Sequence, residues 1–155
     1  MPANQMEEMQ AVVADYIRSG QKWPASTRQI ATWAIRHQRW VARESALVGQ
    51  CADLLARAMR EEYIRDPQGR VIRAKHAARV EKEGEQLTLW ADIRTASREH
   101  MEVALQQRRQ QIVGDCRQLK ADTDSFNENQ SRGRQPIQMI FDFTLDVAEL
   151  EVATR

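Results

Sequence analysis

The segment from Tyr63 to Lys75, YIRDPQGRVIRAK, constrains the fold most, because it joins a turn signal to short runs of strand-forming residues. In the DPQG tetrapeptide, Pro67 presets φ near about −65° and Gly69 accepts a positive φ. The β-forming pairs YI and VI flank that turn, with cationic residues between and beyond them. We therefore predict a β-hairpin whose apolar side chains pack on an upstream helix while its cationic tip faces solvent.

Three helices are predicted before this hairpin. Apolar residues recur every three or four positions over residues 4–19, from Ser26 or Thr27 to about residue 35, and over residues 43–62. Residues 36–40 are predicted to form a turn that packs Trp40 on the core. The third helix has one broad apolar face, and it leads directly into the hairpin.

The chain changes character after the hairpin. Residues 77–86 are polar and contain Gly84, which favours a linker and a boundary near residue 80. The following LTLWADI cluster fits either a short strand or the anchor of the next helix. Residues 97–125 form the longest helical pattern, an imperfect coiled coil that either self-associates or packs on the N-terminal domain or another helix.

The C-terminal part ends in an apolar tail. Residues 127–136 are polar and predict a loop, PIQMIFDF is an extended strand or a docking segment, and Thr144 is positioned to cap a helix through Leu150. Such a tail needs a surface from its own domain or from a second subunit. The candidate dimerisation or docking residues of this half are Leu105, Ile112, Leu119, Phe126, Ile137, Ile140, Phe141 and Phe143.

Composition bounds the environment of the chain. Its 155 residues hold no apolar run of the roughly 20 residues that span a bilayer, and its first residues lack an export signal, so we expect no membrane contact and a cytoplasmic location. Cys51 and Cys116 lie in apolar helical patterns and are expected to be reduced core thiols. Residues 1–80 carry 13 Lys and Arg against 8 Asp and Glu, whereas residues 81–155 carry 10 against 14. This asymmetry favours a polyanion-facing front half, although chance also produces such differences.

The order of three helices and a hairpin resembles the helix-turn-helix and wing of bacterial winged-helix regulators over residues of about 5–76, in TRQIATWAIRHQRW, SALVGQCADLLARAM and YIRDPQGRVIR. The whole chain is also similar to uncharacterised bacterial proteins with segments like DPQGRVIRAKHAAR and PIQMIFDFTLD. The resemblance implies a mainly α fold: a winged-helix-like domain with a short β-hairpin over residues 1–80. A long helix and the apolar tail would follow over residues 81–155.

The function expected from this resemblance is sequence-dependent binding of duplex DNA, with helix 43–62 and wing 63–75 on the DNA. Cations would contact phosphates, and polar side chains at a helix start would reach base edges. The candidate DNA-binding residues are Arg39, Arg43, Ser45, Gln50, Gln68, Arg70, Arg73 and Lys75. The alternatives are that these residues only solvate a helical surface, or that the chain is a protein-interaction module acting through its C-terminal half.

Catalytic and metal sites are not expected. The chain lacks a phosphate-binding glycine loop, a Gly-x-Ser-x-Gly elbow and a His-Glu-x-x-His helix, so we predict no enzyme activity and no cofactor. Candidates to gather a divalent cation for nuclease chemistry are Asp142 and Asp146, with Asp122 and Asp124 before them, but a pair of carboxylates at helical spacing is usually a solvated face or an N-terminal cap. The histidines are not spaced for zinc. His76 is positioned either to contact a phosphate or simply to lie exposed.

Overall fold

The computed structural model describes residues 4–44 and 46–153. Five helices and four strands follow one another along the chain as α1 (Gln5–Arg18), α2 (Thr27–Arg36), α3 (Ala46–Arg60), β1 (Tyr63–Arg65), β2 (Val71–Arg73), β3 (Lys75–Lys82), β4 (Glu85–Asp92), α4 (Arg98–Asn129) and α5 (Thr144–Ala153). The chain divides into two compact units, Met1–Ala56 and Arg57–Arg155, so that the division lies within α3. The sequence placed its boundary later, near residue 80.

The first unit is built around a small aromatic core between α1 and α2. Val12 and Tyr16 of α1 are buried against Trp33 and Ala34 of α2, and Trp40 packs on the same cluster, as predicted. The rings of Tyr16 and Trp33 meet edge to face with centroids 5.4 Å apart. The Tyr16 hydroxyl donates to the carbonyl of Lys22 at 2.9 Å, so the one polar atom of this ring has a partner.

Both helices of this unit begin at a reciprocal side-chain cap. Asn4 accepts from the Glu7 amide while Glu7 accepts from the Asn4 amide, and Ser26 and Gln29 repeat the arrangement at the start of α2. Each cap satisfies two backbone N–H groups that a helix start leaves without partners. The sequence prediction that Ser26 or Thr27 begins the second helix is therefore confirmed for Ser26.

Helix α3 differs from the other two because none of its residues is buried. Leu47, Val48, Leu54 and Leu55 of its apolar face are all exposed. Cys51 on the same helix is exposed as well, so the prediction that it is a core thiol is wrong. The amphipathic pattern identified the helix, but it did not identify a surface that covers it.

The second unit contains two antiparallel hairpins. Strands β1 and β2 pair Ile64 with Ile72 across the predicted DPQG turn, where Gly69 has a φ of 84°. The Asp66 side chain closes the turn by accepting from the amides of Gln68 and Arg70 at 3.0 and 2.8 Å. This confirms the predicted hairpin, and the turn chemistry is that expected for an Asx-type turn.

The larger hairpin replaces the predicted linker. Residues 77–86 belong to β3 and β4, which pair from Lys75 opposite Asp92 to Lys82 opposite Glu85. Glu83 and Gly84 both have positive φ, of 51° and 78°, and form the two-residue connection that suits a right-handed strand twist. The prediction of a linker over residues 77–86 is therefore wrong, and the strand alternative for LTLWADI is correct.

Helix α4 packs its first turns on β3 through small residues. Ala78 of β3 is fully buried and Ala104 of α4 is 4% exposed, which lets the two backbones approach closely. His100 of α4 bonds the carbonyl of His76 at 2.8 Å, and His76 is itself buried with its ring bonded to the carbonyl of Arg73. The suggestion that His76 lies exposed is wrong, because its side chain is buried and its ring bonds the backbone of β2, whereas a contact with a phosphate stays a prediction.

The C-terminal segment returns along the end of α4. The Asn127 side chain bonds both backbone groups of Ile137, accepting from its N–H at 3.0 Å and donating to its carbonyl at 2.9 Å. Residues 137–143 carry no strand, and α5 begins at Thr144. Asp142 accepts from the amide and hydroxyl of Thr144, and these hydrogen bonds hold the pKa of Asp142 below its ordinary value.

The architecture is therefore mixed, with helices as the larger part, one of them long, and two small antiparallel sheets. A winged-helix arrangement is not confirmed. Among the described helices, none is long and apolar enough to cross a bilayer.

Candidate nucleic-acid interface

A cationic groove lies in the second unit between the β3–β4 hairpin and the first half of α4. Its volume is about 570 Å³. Four arginines line it from four different elements, since Arg60 ends α3, Arg73 ends β2, Arg79 lies in β3 and Arg108 lies in α4. We call these four residues the arginine cluster.

Two local patterns place these side chains. Along β3 the residues alternate between buried and more exposed positions, with His76 and Ala78 buried and Arg79 exposed. On α4, Ala104, Arg108 and Gln111 recur at steps of four and three residues and share the face beside the groove. Gln107 holds the two elements together by bonding both the amide and the carbonyl of Arg79 at 2.8 Å.

The charges of the arginine cluster are not neutralised. None of its four guanidinium groups forms an ion pair with any residue that the structure describes. Burial lowers the pKa of Arg108, and the neighbouring charge of Arg73 lowers it further. Arginine stays protonated at physiological pH despite such shifts, so the groove holds two neighbouring like charges that no carboxylate of residues 4–44 and 46–153 pairs with.

In the turn of the β1–β2 hairpin, by contrast, a cation is paired with a carboxylate. Arg70 pairs with Asp66 at 2.6 Å. Burial alone would raise the pKa of Asp66, but hydrogen bonds from Arg70 and its charge hold that pKa below the ordinary value. The tip of the predicted wing therefore has an internal counter-charge that the arginine cluster lacks.

Lys75 lies at the edge of the groove in a network of charges. It contacts Glu62 at 3.2 Å and Asp92 at 3.1 Å, and hydrogen bonds to Asp92 and Glu62 raise its pKa. Asp92 also receives two bonds from the Arg94 guanidinium, which, with Lys75, keep the pKa of Asp92 far below its usual range. This network fixes the end of the β3–β4 hairpin rather than leaving a free cation.

The predicted DNA-binding residues divide between the two units. Arg39, Arg43 and Gln50 are exposed in the first unit, and Ser45 lies outside the described residues. Gln68 and Arg70 lie in the β1–β2 turn, whereas Arg73 and Lys75 line the groove. The groove thus brings together only two members of the predicted set.

Sequence reasoning missed the other three members of the arginine cluster. Arg79 fell in the segment interpreted as a linker, and neither Arg60 nor Arg108 was among the candidate DNA-binding residues. A signal for Arg79 was present in the alternation of HAARV, where small or apolar residues take every second position. Nothing local connects Arg79 with Arg108, because the strand-to-helix packing joins them.

The predicted dimerisation or docking residues all lie in the second unit, and every one is exposed. Leu105, Ile112, Leu119 and Phe126 follow one side of α4, with exposed fractions between 43% and 52%. We call these four residues the apolar stripe. Ile137, Ile140, Phe141 and Phe143 lie in residues 137–143, which we call the tail, and the last two rings meet edge to face.

Metal and disulfide chemistry find no site in the described part of the chain. No group of three or more histidine, cysteine or acidic residues is placed to hold a metal ion within residues 4–44 and 46–153. Cys51 and Cys116 are free thiols, the second partly buried.

Comparisons with protein-family models, curated proteins and solved structures find no match to this chain.

Proposed function

We propose that the protein binds duplex DNA and that the arginine cluster supplies its main phosphate contacts. The observation that carries this proposal is the convergence on one groove of four arginines that form no ion pair with a described residue. A bound phosphate would offset the burial of Arg108 and its repulsion by Arg73 at the same time. Guanidinium groups also match phosphate oxygens in a bidentate geometry.

The β1–β2 hairpin has a secondary role in this proposal. Arg70 must give up Asp66 to bind a phosphate, and because the Asp66 side chain is only 9% exposed, the exchange leaves a nearly buried carboxylate without its arginine and brings little gain. Gln68 at the tip of the turn is a candidate for contact with a base edge. In the more specific version of the proposal, α2 and α3 act as a helix-turn-helix, with Arg39, Arg43 and Gln50 on DNA and this hairpin as a wing.

The test compares unpaired with paired arginines in duplex binding over a salt series. Each phosphate contact adds about 0.9 to the slope of log affinity against log salt concentration. We expect the Arg73→Gln, Arg108→Gln double variant to lose about two contacts, or roughly 1.8 units of slope. The matched control, Arg70→Gln with Arg94→Gln, removes the same charge from ion-paired positions and should change the slope by less than about half as much.

Equal losses of slope in the two double variants would contradict the assignment of the groove. No binding of duplex by the parent at low salt would overturn DNA binding itself. A single strand of the same length serves as a third arm, because Trp90 also lines the groove and aromatic rings stack on unpaired bases. Tighter binding of the single strand than of the duplex would replace the proposed ligand.

A second candidate function is protein association without DNA binding. The exposure of the apolar stripe and tail favours it, because monomeric proteins seldom expose large contiguous apolar patches. Loss of association on removal of residues after Ser125, in a protein that does not bind duplex, would select this function. A chain that binds duplex equally well with and without these residues would select the first.

A further inference from the structure

We propose that the apolar stripe and tail of the second unit form a homodimer interface. This inference goes beyond DNA binding and does not depend on it. The stripe continues on α4 beyond the turns that pack on β3, and the tail is attached to the same end of α4 by the side chain of Asn127. Both therefore belong to one region of the second unit.

The accessible surface of the chain indicates how much area remains to be covered. It measures 13762 Å² for a mass of 17.9 kDa. A compact monomer of this mass exposes about 8,000 Å², and two separate compact domains of 56 and 99 residues would expose about 9,600 Å² in total. The remaining excess, about 4,000 Å², is spread over the whole chain, the exposed helices α3 and α5 included, and it leaves room for the roughly 800 Å² that each partner contributes to a standard interface.

The apolar character of the stripe and the tail indicates what kind of partner would cover them. The stripe holds four large side chains that are about half exposed, and the tail adds five more apolar side chains over seven residues. Permanent interfaces between identical subunits are more apolar than transient ones and resemble a domain core divided in two. The surface therefore fits a permanent partner better than an occasional one.

The spacing of the stripe favours a second copy of this chain as that partner. Leu105, Ile112, Leu119 and Phe126 are seven residues apart, so a helix with the same spacing keeps in contact along the whole stripe when the two helices supercoil. An identical helix meets this requirement at one position of each heptad, while the second seam position holds Arg108 and Asp115 in one register or Arg109 and Cys116 in the other. Residues 101–129 carry four basic and five acidic side chains, so two copies would not repel each other through net charge.

The proposed interface also has a consequence for the arginine cluster. Closed two-fold symmetry is the commonest arrangement of identical subunits, and it uses the same patch on both chains. The first half of α4 carries Arg108 of the arginine cluster, while the stripe extends to Phe126, so a dimer through the stripe holds two grooves in one particle. The mass of the particle can be measured without any nucleic acid, which keeps this inference separate from DNA binding.

The experiment measures the mass of the full-length protein in solution by light scattering and by sedimentation at several concentrations. We expect the parent to have twice the 17.9 kDa mass of the chain. Ile112→Gln and Leu119→Gln should each raise the dissociation constant by about 30-fold or more, the effect of losing a central apolar anchor. Val113→Gln is the control, since Val113 is 46% exposed next to Ile112 but faces another side of α4.

A parent that stays monomeric at every concentration overturns the proposal without reference to any variant. So does a dimer that persists in both stripe variants, because another surface must then hold it. An equal loss of the dimer in Val113→Gln would also contradict the stripe as the contact. Helical circular dichroism and thermal unfolding of each variant distinguish lost association from lost folding, and Phe126→Gln is the replacement if either stripe variant fails to fold.

Discussion

The two halves of α4 use the same kind of helix in different ways. The first half presents small and polar residues to β3, where Ala104 is buried and Gln107 bonds the backbone of Arg79. The second half presents the large side chains of Leu119 and Phe126, which are 43% and 47% exposed, and Leu105 and Ile112 of the first half are exposed to a similar degree. The most complete packing of the helix is thus on the side of its first half that faces β3, where the side chains are small.

The comparison shows that close packing here depends on shape rather than on apolar content. Fully buried Ala78 lies under the first half of α4, where the backbones of strand and helix approach each other and amide and imidazole groups link them. In the second half, the Asn127 side chain likewise forms two hydrogen bonds with the backbone of Ile137. The tail that it attaches nevertheless leaves its own side chains exposed.

The largest effect is expected from enlarging the small residue between helix and strand. Ala104→Leu inserts three carbon atoms where Ala104 is 4% exposed, and overpacking of this kind costs about 1–3 kcal/mol of unfolding free energy. Ala121→Leu makes the same change at an exposed position in the second half of α4 and should stay within about 0.5 kcal/mol. Urea unfolding of both variants measures the difference, and equal losses would remove the distinction between the two halves.

A smaller effect is expected at the two amide side chains that bond a neighbouring backbone. Gln107→Ala removes both hydrogen bonds to Arg79 and should lower the unfolding free energy by about 1–2 kcal/mol, with Gln106→Ala as the unbonded control.

Asn127→Ala removes the equivalent hydrogen bonds to Ile137, where fewer contacts depend on them. We expect faster amide hydrogen exchange in the tail, with a change of less than about 0.5 kcal/mol elsewhere.

If Asn127→Ala lowers the global unfolding free energy as much as Gln107→Ala, the tail is an integral part of the folded unit. If it leaves exchange at Ile137 unchanged, the side-chain bonds are not what holds the tail. The two variants therefore measure how far each end of α4 depends on a single amide.

The smallest effect concerns the charges at the end of the β3–β4 hairpin. Hydrogen bonds from Arg94, and then from Lys75, lower the pKa of Asp92, so its stabilising contribution is present above the ordinary aspartate value of 3.8 and is lost as the pH falls through the lowered value. Asp92→Asn should be less stable than the parent at neutral pH, and the difference should shrink in acid. Urea unfolding across a pH series measures this change.

Asp115→Asn is the counterpart in the second half of α4, where Asp115 forms no ion pair with the described residues. Its difference from the parent should stay small across the same series. A difference for Asp92→Asn that grows as the pH falls would contradict the sign of the shift.

The parts of the fold that the sequence predicted are those set by local chemistry. The DPQG turn, the helix start at Ser26 and the long amphipathic pattern of α4 each depend on residues within a few positions of one another. The β3–β4 hairpin was not predicted because its buried side chains are mainly alanines in a polar run. Strands and linkers can share this composition. Its turn also uses Glu83 in place of the Asn or Asp that usually signals such a connection.

The candidate site was predictable only in part for a different reason. Arg73 was identified through its place in the hairpin, but its approach to Arg108 depends on α4 packing against β3. The absence of carboxylate partners around the cluster, among the described residues, likewise appears only once the chain is folded. Counting charged residues in the sequence shows only a net charge of +1. The fold shows which of the charged side chains form ion pairs.

The two hydrogen bonds between Asn127 and Ile137 allow the loop between these residues to change in length. Because the amide recognises the N–H and carbonyl of one residue, it sets the starting point of the tail wherever the intervening chain happens to run. Residues inserted or deleted within 130–136 would alter the closure entropy only slightly. Variation in this loop is therefore tolerable in a way that replacement of Asn127 by aspartate is not, because a carboxylate cannot donate to the Ile137 carbonyl.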